Sequence, residues 1–521
     1  MADANKPESH APGTPAPAAG PDGAPRIFIE EAQGHQKRFR KLINFTHSST
    51  RAAAIMLLAA IVSLVVANSG VYEPFLEFWH TEVAVSFGSD QFGMSLSHVV
   101  NDLGMALFFL LVGLEVKYEL TVGELTNIRQ ALLPIMAAVG GVLAPIGIYL
   151  AFNAGDPLTA GGWGVPTATD IAFALGILAL LGSRVPAGVR VFLSTLAVAD
   201  DIIAILVIAV FYGHSPDLFW LGAAFAVFVA LIFLNRTHVY SLVPYLVVGA
   251  VLWYCVFMSG VHATIAGVLL AFTIPSGSNV NLHSFTAWSG SKVREAHEAF
   301  EPEEPVITQG EYIKTVQTLT RVARKVVPPS TRLEHKLHPF VYFLILPVFA
   351  LTNADVSFTG MDIGGVLADP VFLGVLLGLV VGKPLGIMLM SLVVVKTKLA
   401  SLPENVNWSH MLGASILGGV GFTMAIFVAN LAYTDTALVA AAKLSILVAS
   451  VLAGAIGFAF LFLQAKAAQR LGLIFARRRR DDEDEESLSV ADQEDAHDYA
   501  HDYEELLRYT AERETGSETA R

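Results

Sequence analysis

Twelve apolar stretches punctuate this chain, at about 52–68, 99–116, 131–152, 165–182, 190–212, 218–234, 241–258, 260–274, 338–354, 370–395, 409–430 and 437–465. Most are long enough to cross a hydrocarbon core of ~30 Å as helices rising about 1.5 Å per residue. The stretch 260–274 is short and needs its neighbours to span. The expected fold class is therefore an all-α polytopic membrane protein of about twelve transmembrane helices.

Loop charges test the count. With the N-terminus inside, the inner loops hold Lys117 and Arg129, Arg184 and Arg190, Arg236, the long 275–337 segment, and Lys396 with Lys398. The outer loops, 69–98, 153–164, 213–217, the turn near Gly260, 355–369 and 431–436, contain no lysine or arginine. Such asymmetry supports twelve spans with both termini cytoplasmic. In the first outer loop Val83, Val85 and Phe87, then Phe92, Met94 and Leu96, alternate around Gly-Ser-Asp, which predicts a small extramembrane β-hairpin. The inner segment 276–331 is polar and mixed in charge. It is expected to be a cytoplasmic insertion with an amphipathic stretch near Ile313–Val327.

Composition agrees. Of 521 residues 54% are hydrophobic and 15% charged, and the net charge of −13 belongs mostly to the ends. Residues 1–40, rich in Ala, Pro and Gly, predict a disordered cytoplasmic extension, not a signal peptide. Residues 41–466 form the membrane domain. Residues 467–521 are a charged cytoplasmic tail that passes from Arg477–Arg480 into Asp481–Glu486. One cysteine, Cys255, excludes an intrachain disulfide.

The polar residues inside the spans carry the chemistry. Asp200 and Asp201 stand mid-span in VFLSTLAVADDIIAILVIAVFY. Each costs roughly 2.5–3.5 kcal/mol at a helix centre, so a cation, a proton or a buried lysine must offset them. Lys383, followed by Pro384, is such a lysine, and a purely structural ion pair is the bland alternative. The fourth span, WGVPTATDIAFALG, clusters Pro166, Thr167, Thr169 and Asp170. The eleventh, SILGGVGFTMAIFV, has Gly418, Gly419 and Gly421 before Thr423. Both read as interrupted helices, an arrangement that marks the binding site of transporters built from inverted repeats. Glycines that merely permit close packing are the other reading of the eleventh. Free helix ends at two breaks would carry unbalanced partial charge: Asp170 suits the N-terminal ends and Lys383 the C-terminal ends.

Other titratable groups are less specific. Asp102 lies near the outer end of the second span. Glu115 and Glu119 close that span with an acidic mouth that would concentrate cations. His262 reads first as a packed, hydrogen-bonded histidine and second as a pH-linked contact. Glu334, His335 and His338 have helical spacing, but no further ligand is evident for a zinc site. An aspartyl protease would draw its dyad from two helices, whereas adjacent residues point about 100° apart. A channel is disfavoured by a lysine beside the acids.

The stretch GWGVPTATDIAFALGILALLGSRVP…LAVADDIIAILVIAVFY, with FFLLVGLEVKYEL, SGVHATIAG, RLEHKLHP, GKPLGI and GVGFTMAIF, closely resembles the NhaA family of sodium/proton antiporters over nearly all of 40–465. The resemblance implies a twelve-helix fold of inverted repeats with interrupted, crossing fourth and eleventh spans. The implied function is exchange of Na⁺ or Li⁺ for protons, with no cofactor and no enzymatic reaction. By position Asp200 and Asp201 match the cation and proton-binding pair, the Na⁺ ligands, with Thr169 beside them. Asp170 and Lys383 match the charges that compensate the helix ends. Glu115, Glu119, His262, Glu334, His335 and His338 match positions tied to pH response. The 81–97 hairpin looks like the family's homodimer contact. The implied setting is the bacterial inner membrane, with lipid around the bundle and no nucleic-acid partner. One departure is Tyr118, where the family commonly has arginine. The insertion and the acidic tail are not covered by the resemblance.

Overall fold

The computed structural model describes residues 48–470, apart from 88–89, 214–215, 303, 359–362 and 404. The expected N-terminal extension, and the tail beyond residue 470, lie outside the described residues.

Among the described residues eight helices are long and apolar enough to cross a membrane: Ser49–Ala67, Leu96–Thr121, Gln130–Asn153, Ala187–Phe211, Leu218–Arg236, Pro329–Asn353, Pro370–Lys396 and Thr436–Ala467. Two further spans are bent pairs, Pro157–Thr167 with Ile171–Leu180 (42°) and Trp408–Gly418 with Phe422–Ala432 (45°). The shorter apolar helices Leu242–Met258 and Thr264–Thr273 take the seventh and eighth places. The twelve expected positions are thus all helical, and the chain is a multi-pass membrane protein. In lipid the backbone must satisfy its own donors, which leaves helices as the form these segments can take. Their apolar character all round fits: the sixth span has only 11% of its apolar window buried and turns Phe225 and Phe233 outward.

Boundaries moved where polarity misled hydropathy. The ninth span starts at Pro329, nine residues before the expected 338, so Glu334 and His335 sit within the helix rather than beside it. The fourth begins at Pro157 because its first half is largely a tight 3₁₀ segment, Gly161–Thr167, too polar and glycine-rich to register as apolar.

Three spans contain π-helical turns: Val99–Gly104 in the second, Val341–Ile345 in the ninth and Gly378–Gly382 in the tenth. Prolines account for two of them. Pro347 and Pro384 lack the N–H that the Phe343 and Val380 carbonyls would accept, which frees the ladder to widen. The turn in the tenth span ends at Gly382, immediately before Lys383.

Glycines let the third and tenth spans cross backbone to backbone. A Cβ on Gly140 would strike the Gly386 carbonyl oxygen, and one on Gly386 the Gly140 oxygen. This crossing holds Lys383 inside the bundle.

Outside the spans, β1 (Glu82–Phe87) and β2 (Asp90–Ser95) pair antiparallel, with Glu82 opposite Ser95 and Phe87 opposite Asp90. This is the expected hairpin, except that Leu96 begins the second span. The insertion holds two helices, Leu282–Glu298 and Gly310–Val326; only the second was foreseen. Thr315 donates to Glu295 across them at 3.1 Å. The Lys292 ammonium, which donates to the Glu295 carboxyl, and then that bond hold the carboxyl below its ordinary range.

Candidate functional site

The two broken spans cross at their breaks. In the fourth, Ala168 and Asp170 are extended (ψ 141° and 98°), so the helix stops at Thr167 and restarts at Ile171. In the eleventh, one half ends at Gly418 and the next begins at Phe422. The Asp170 N–H donates to the Val420 carbonyl at 2.8 Å, tying one break to the other.

Two N-terminal helix ends and two C-terminal ends therefore meet inside the protein, each with orphan groups. The Asp170 carboxylate serves both N-terminal ends. Its Oδ1 accepts from the Phe173 N–H at 3.0 Å. Its Oδ2 accepts from the Thr423 N–H at 3.1 Å and the Thr423 hydroxyl at 2.5 Å. At the C-terminal ends, the Lys383 ammonium donates to the Thr167 carbonyl, and the Thr169 hydroxyl to the Gly418 carbonyl at 3.0 Å. All of these side chains are buried.

The adjacent aspartates face different neighbours. Asp200 Oδ2 pairs with Lys383 Nζ at 2.8 Å. Asp201 instead faces a small cavity, about 10 Å³ of room for the centre of a water-sized sphere. The second span lines it with Phe108 and Val112, the fourth with Thr169, Asp170, Ile171 and Ala172, the ninth with Tyr342 and the eleventh with Met424. Two buried carboxylate oxygens, Asp200 Oδ1 and Asp201 Oδ2, have no hydrogen-bond partner. Unsatisfied charged acceptors are costly to bury, and a cation or proton bound there would offset that cost. Oxygen donors and space for one small particle suit a dehydrated hard cation or a proton.

The residues matched to pH response do not form one cluster. Glu115 lies in electrostatic range of Glu334 and Glu119, and Asp201 in range of Glu115. His335 is exposed. His338 stacks on Tyr342 with ring centroids 4.3 Å apart. His262 stands at the other end of the bundle, where its Nε2 is 2.6 Å from the Tyr212 carbonyl oxygen closing the fifth span. Among the described residues no three or more His, Cys, Asp or Glu side chains form a metal-binding group.

Several polar groups escaped sequence reasoning. Lys117, counted only as a loop charge, donates to the carbonyls of Phe272 (2.9 Å) and Ile274 and so closes the eighth span. Asn353 donates to Asn101 at 2.7 Å and accepts from Asn430 at 2.8 Å, joining the second, ninth and eleventh spans. Lys443 and Asp355 form an ion pair at 3.0 Å. Single asparagines and tyrosines in apolar runs carry no spacing signal that would pair them.

Residues 43–461 match the family model described as Na⁺/H⁺ antiporter 1. The chain is 42% identical over 429 residues to the Na⁺/H⁺ antiporter NhaA of Wolinella succinogenes, covering 82% of this chain and 93% of that one. It is 46% identical over 436 residues to that of Dechloromonas aromatica strain RCB (82% and 97%). With that of Helicobacter pylori strain J99 it shares 42% over 434 residues (82% and 96%).

Proposed function

Because the chain belongs to the Na⁺/H⁺ antiporter 1 family, a family of transporters and not enzymes, we propose that it exchanges internal Na⁺ or Li⁺ for external protons at the Asp200–Asp201 pair. The observation that carries this reading is the pair of buried, unpartnered carboxylate oxygens, with Asp201 facing a cavity of single-ion size.

The cycle follows from competition for those oxygens. With Asp201 ionised, Na⁺ enters the cavity and is held by the carboxylate with the Thr169 hydroxyl oxygen beside it. Protonation removes the negative charge and releases the ion. Asp200 shares its charge with Lys383, so the three groups titrate as one system. Entry of Na⁺ draws Asp200 away from Lys383, and the freed ammonium then sheds its proton. Two protons per Na⁺ make each cycle electrogenic, driven by voltage as well as by the proton gradient. Asp170 and Lys383 hold the helix ends at the crossing, and small rotations of the two broken spans about it give access first to one side and then to the other.

Glu115, Glu119 and Glu334 form an acidic mouth with His335 and His338 nearby, and we assign pH response to this group. His262 acts from the opposite end, through the Tyr212 carbonyl. Tyr118 removes a basic member of the mouth and shifts the pH at which it opens. The protein sits in the inner membrane with both termini cytoplasmic, surrounded by lipid, and two copies pair through the 81–97 hairpin. The test is sodium-driven proton movement in proteoliposomes. Asp201→Asn is expected to abolish it, and coupled movement that survives the substitution places the site elsewhere.

A further inference from the structure

Tyr342 takes no part in the cycle above, yet it forms one wall of its cavity. It lines the cavity together with Thr169, Asp170 and Asp201 and is 9% exposed. Its ring stacks on His338, with centroids 4.3 Å apart and planes 25° from parallel. Its electrostatic neighbours include Glu115 of the acidic mouth as well as Asp170 and Asp201 of the cavity. It is carried by the π-helical turn Val341–Ile345, a local widening that recurs at functional sites.

Charge alone does not choose among monovalent cations, since a carboxylate attracts K⁺ as well as Na⁺. Choice depends on cavity size, ligand number and how far the walls give way. Here the cavity has about 10 Å³ for the centre of a water-sized sphere. The lining includes flexible Met424, small Ala172 and two planar rings, Phe108 and Tyr342. Phe108 meets Phe109 edge-on, whereas Tyr342 is braced face to face by a second ring, His338.

We propose that Tyr342 is a specificity-determining residue: its ring, wedged between His338 and the cavity, fixes a space that admits dehydrated Na⁺ or Li⁺ and shuts out K⁺. The proposal rests on the reading that Asp201 holds the transported cation. The experiment is a proteoliposome assay of proton movement on adding Na⁺, Li⁺ or K⁺ to the full-length protein. Tyr342→Ala, Tyr342→Leu, Tyr342→Phe and Asp201→Asn are compared, with thermal unfolding as a check on folding. Wild type is expected to respond to Na⁺ and Li⁺, and to K⁺ only at far higher concentrations. Alanine and leucine are each expected to narrow the Na⁺/K⁺ ratio of apparent KM by about tenfold or more, and phenylalanine to restore it.

Unchanged ratios in the folded alanine and leucine variants would overturn the proposal. So would a wild-type K⁺ response at the concentrations that suffice for Na⁺, the same loss of selectivity with phenylalanine, or folded variants silent to every cation. Sodium exchange that survives Asp201→Asn sinks the site reading instead. A silent Asp201→Asn with unchanged Tyr342 ratios sinks only the wall.

Discussion

Asp200 and Asp201 are separated by a turn of about 100° around the fifth span, and that rotation divides their surroundings. Asp200 meets an ammonium 2.8 Å away, whereas Asp201 meets a small cavity. Removing one partner of a buried ion pair leaves the other uncompensated, at a cost of about 3–5 kcal/mol. Lys383→Ala is therefore expected to lower thermal stability. Because the stranded group is a carboxylate, acid relieves it, and the loss should grow as pH rises. Adding Asp200→Asn to the same chain should recover most of the stability at neutral pH, measured as the midpoint of thermal unfolding in detergent. The acid pair, Lys383 and Asp170 were legible in the sequence because charge in an apolar run stands out. Tyr342 was not, since a tyrosine in such a run looks like any other core aromatic.

The crossing of the fourth and eleventh spans depends on Asp170, whose carboxylate accepts from Phe173 in one span and Thr423 in the other. Asp170→Ala leaves both N-terminal ends without their acceptor. It should destabilise the protein by roughly 2 kcal/mol or more, since cap losses are ~1 kcal/mol each and these are buried. Asp170→Asn keeps an acceptor and should cost less; equal unfolding midpoints for the two would count against the capping role. The third and tenth spans have a steric requirement instead. Gly386→Val would drive a side chain into the Gly140 carbonyl and is expected to abolish folded protein, seen as loss of the monodisperse peak in size-exclusion chromatography. The breaks were legible from Pro-Thr-Asp and glycine clusters. That glycines also pack was not an alternative to the break but its companion: Gly421 lies against the Ala168 carbonyl at the crossing. The asparagine contacts among the second, ninth and eleventh spans were illegible because no single segment contains both partners.

Across the whole molecule the acidic residues Glu115, Glu119 and Glu334 lie at one end and His262 at the other, so on the proposed assignment proton concentration is read on two surfaces. The hairpin lies outside the bundle, and if it pairs two copies, deleting 81–97 should yield monomers by light scattering without loss of exchange per copy. Span number and family were legible from hydropathy, loop charge and motifs. Where the ends of spans fall was not, because polar helical turns continue past the hydrocarbon core. The central claim is that Na⁺ and protons compete for one site. It is tested most directly by calorimetric Na⁺ binding to purified protein across a range of pH. The account predicts that affinity falls as pH falls, by about tenfold per pH unit for each proton displaced, with protons released on binding. Affinity independent of pH, with no proton release, would contradict it.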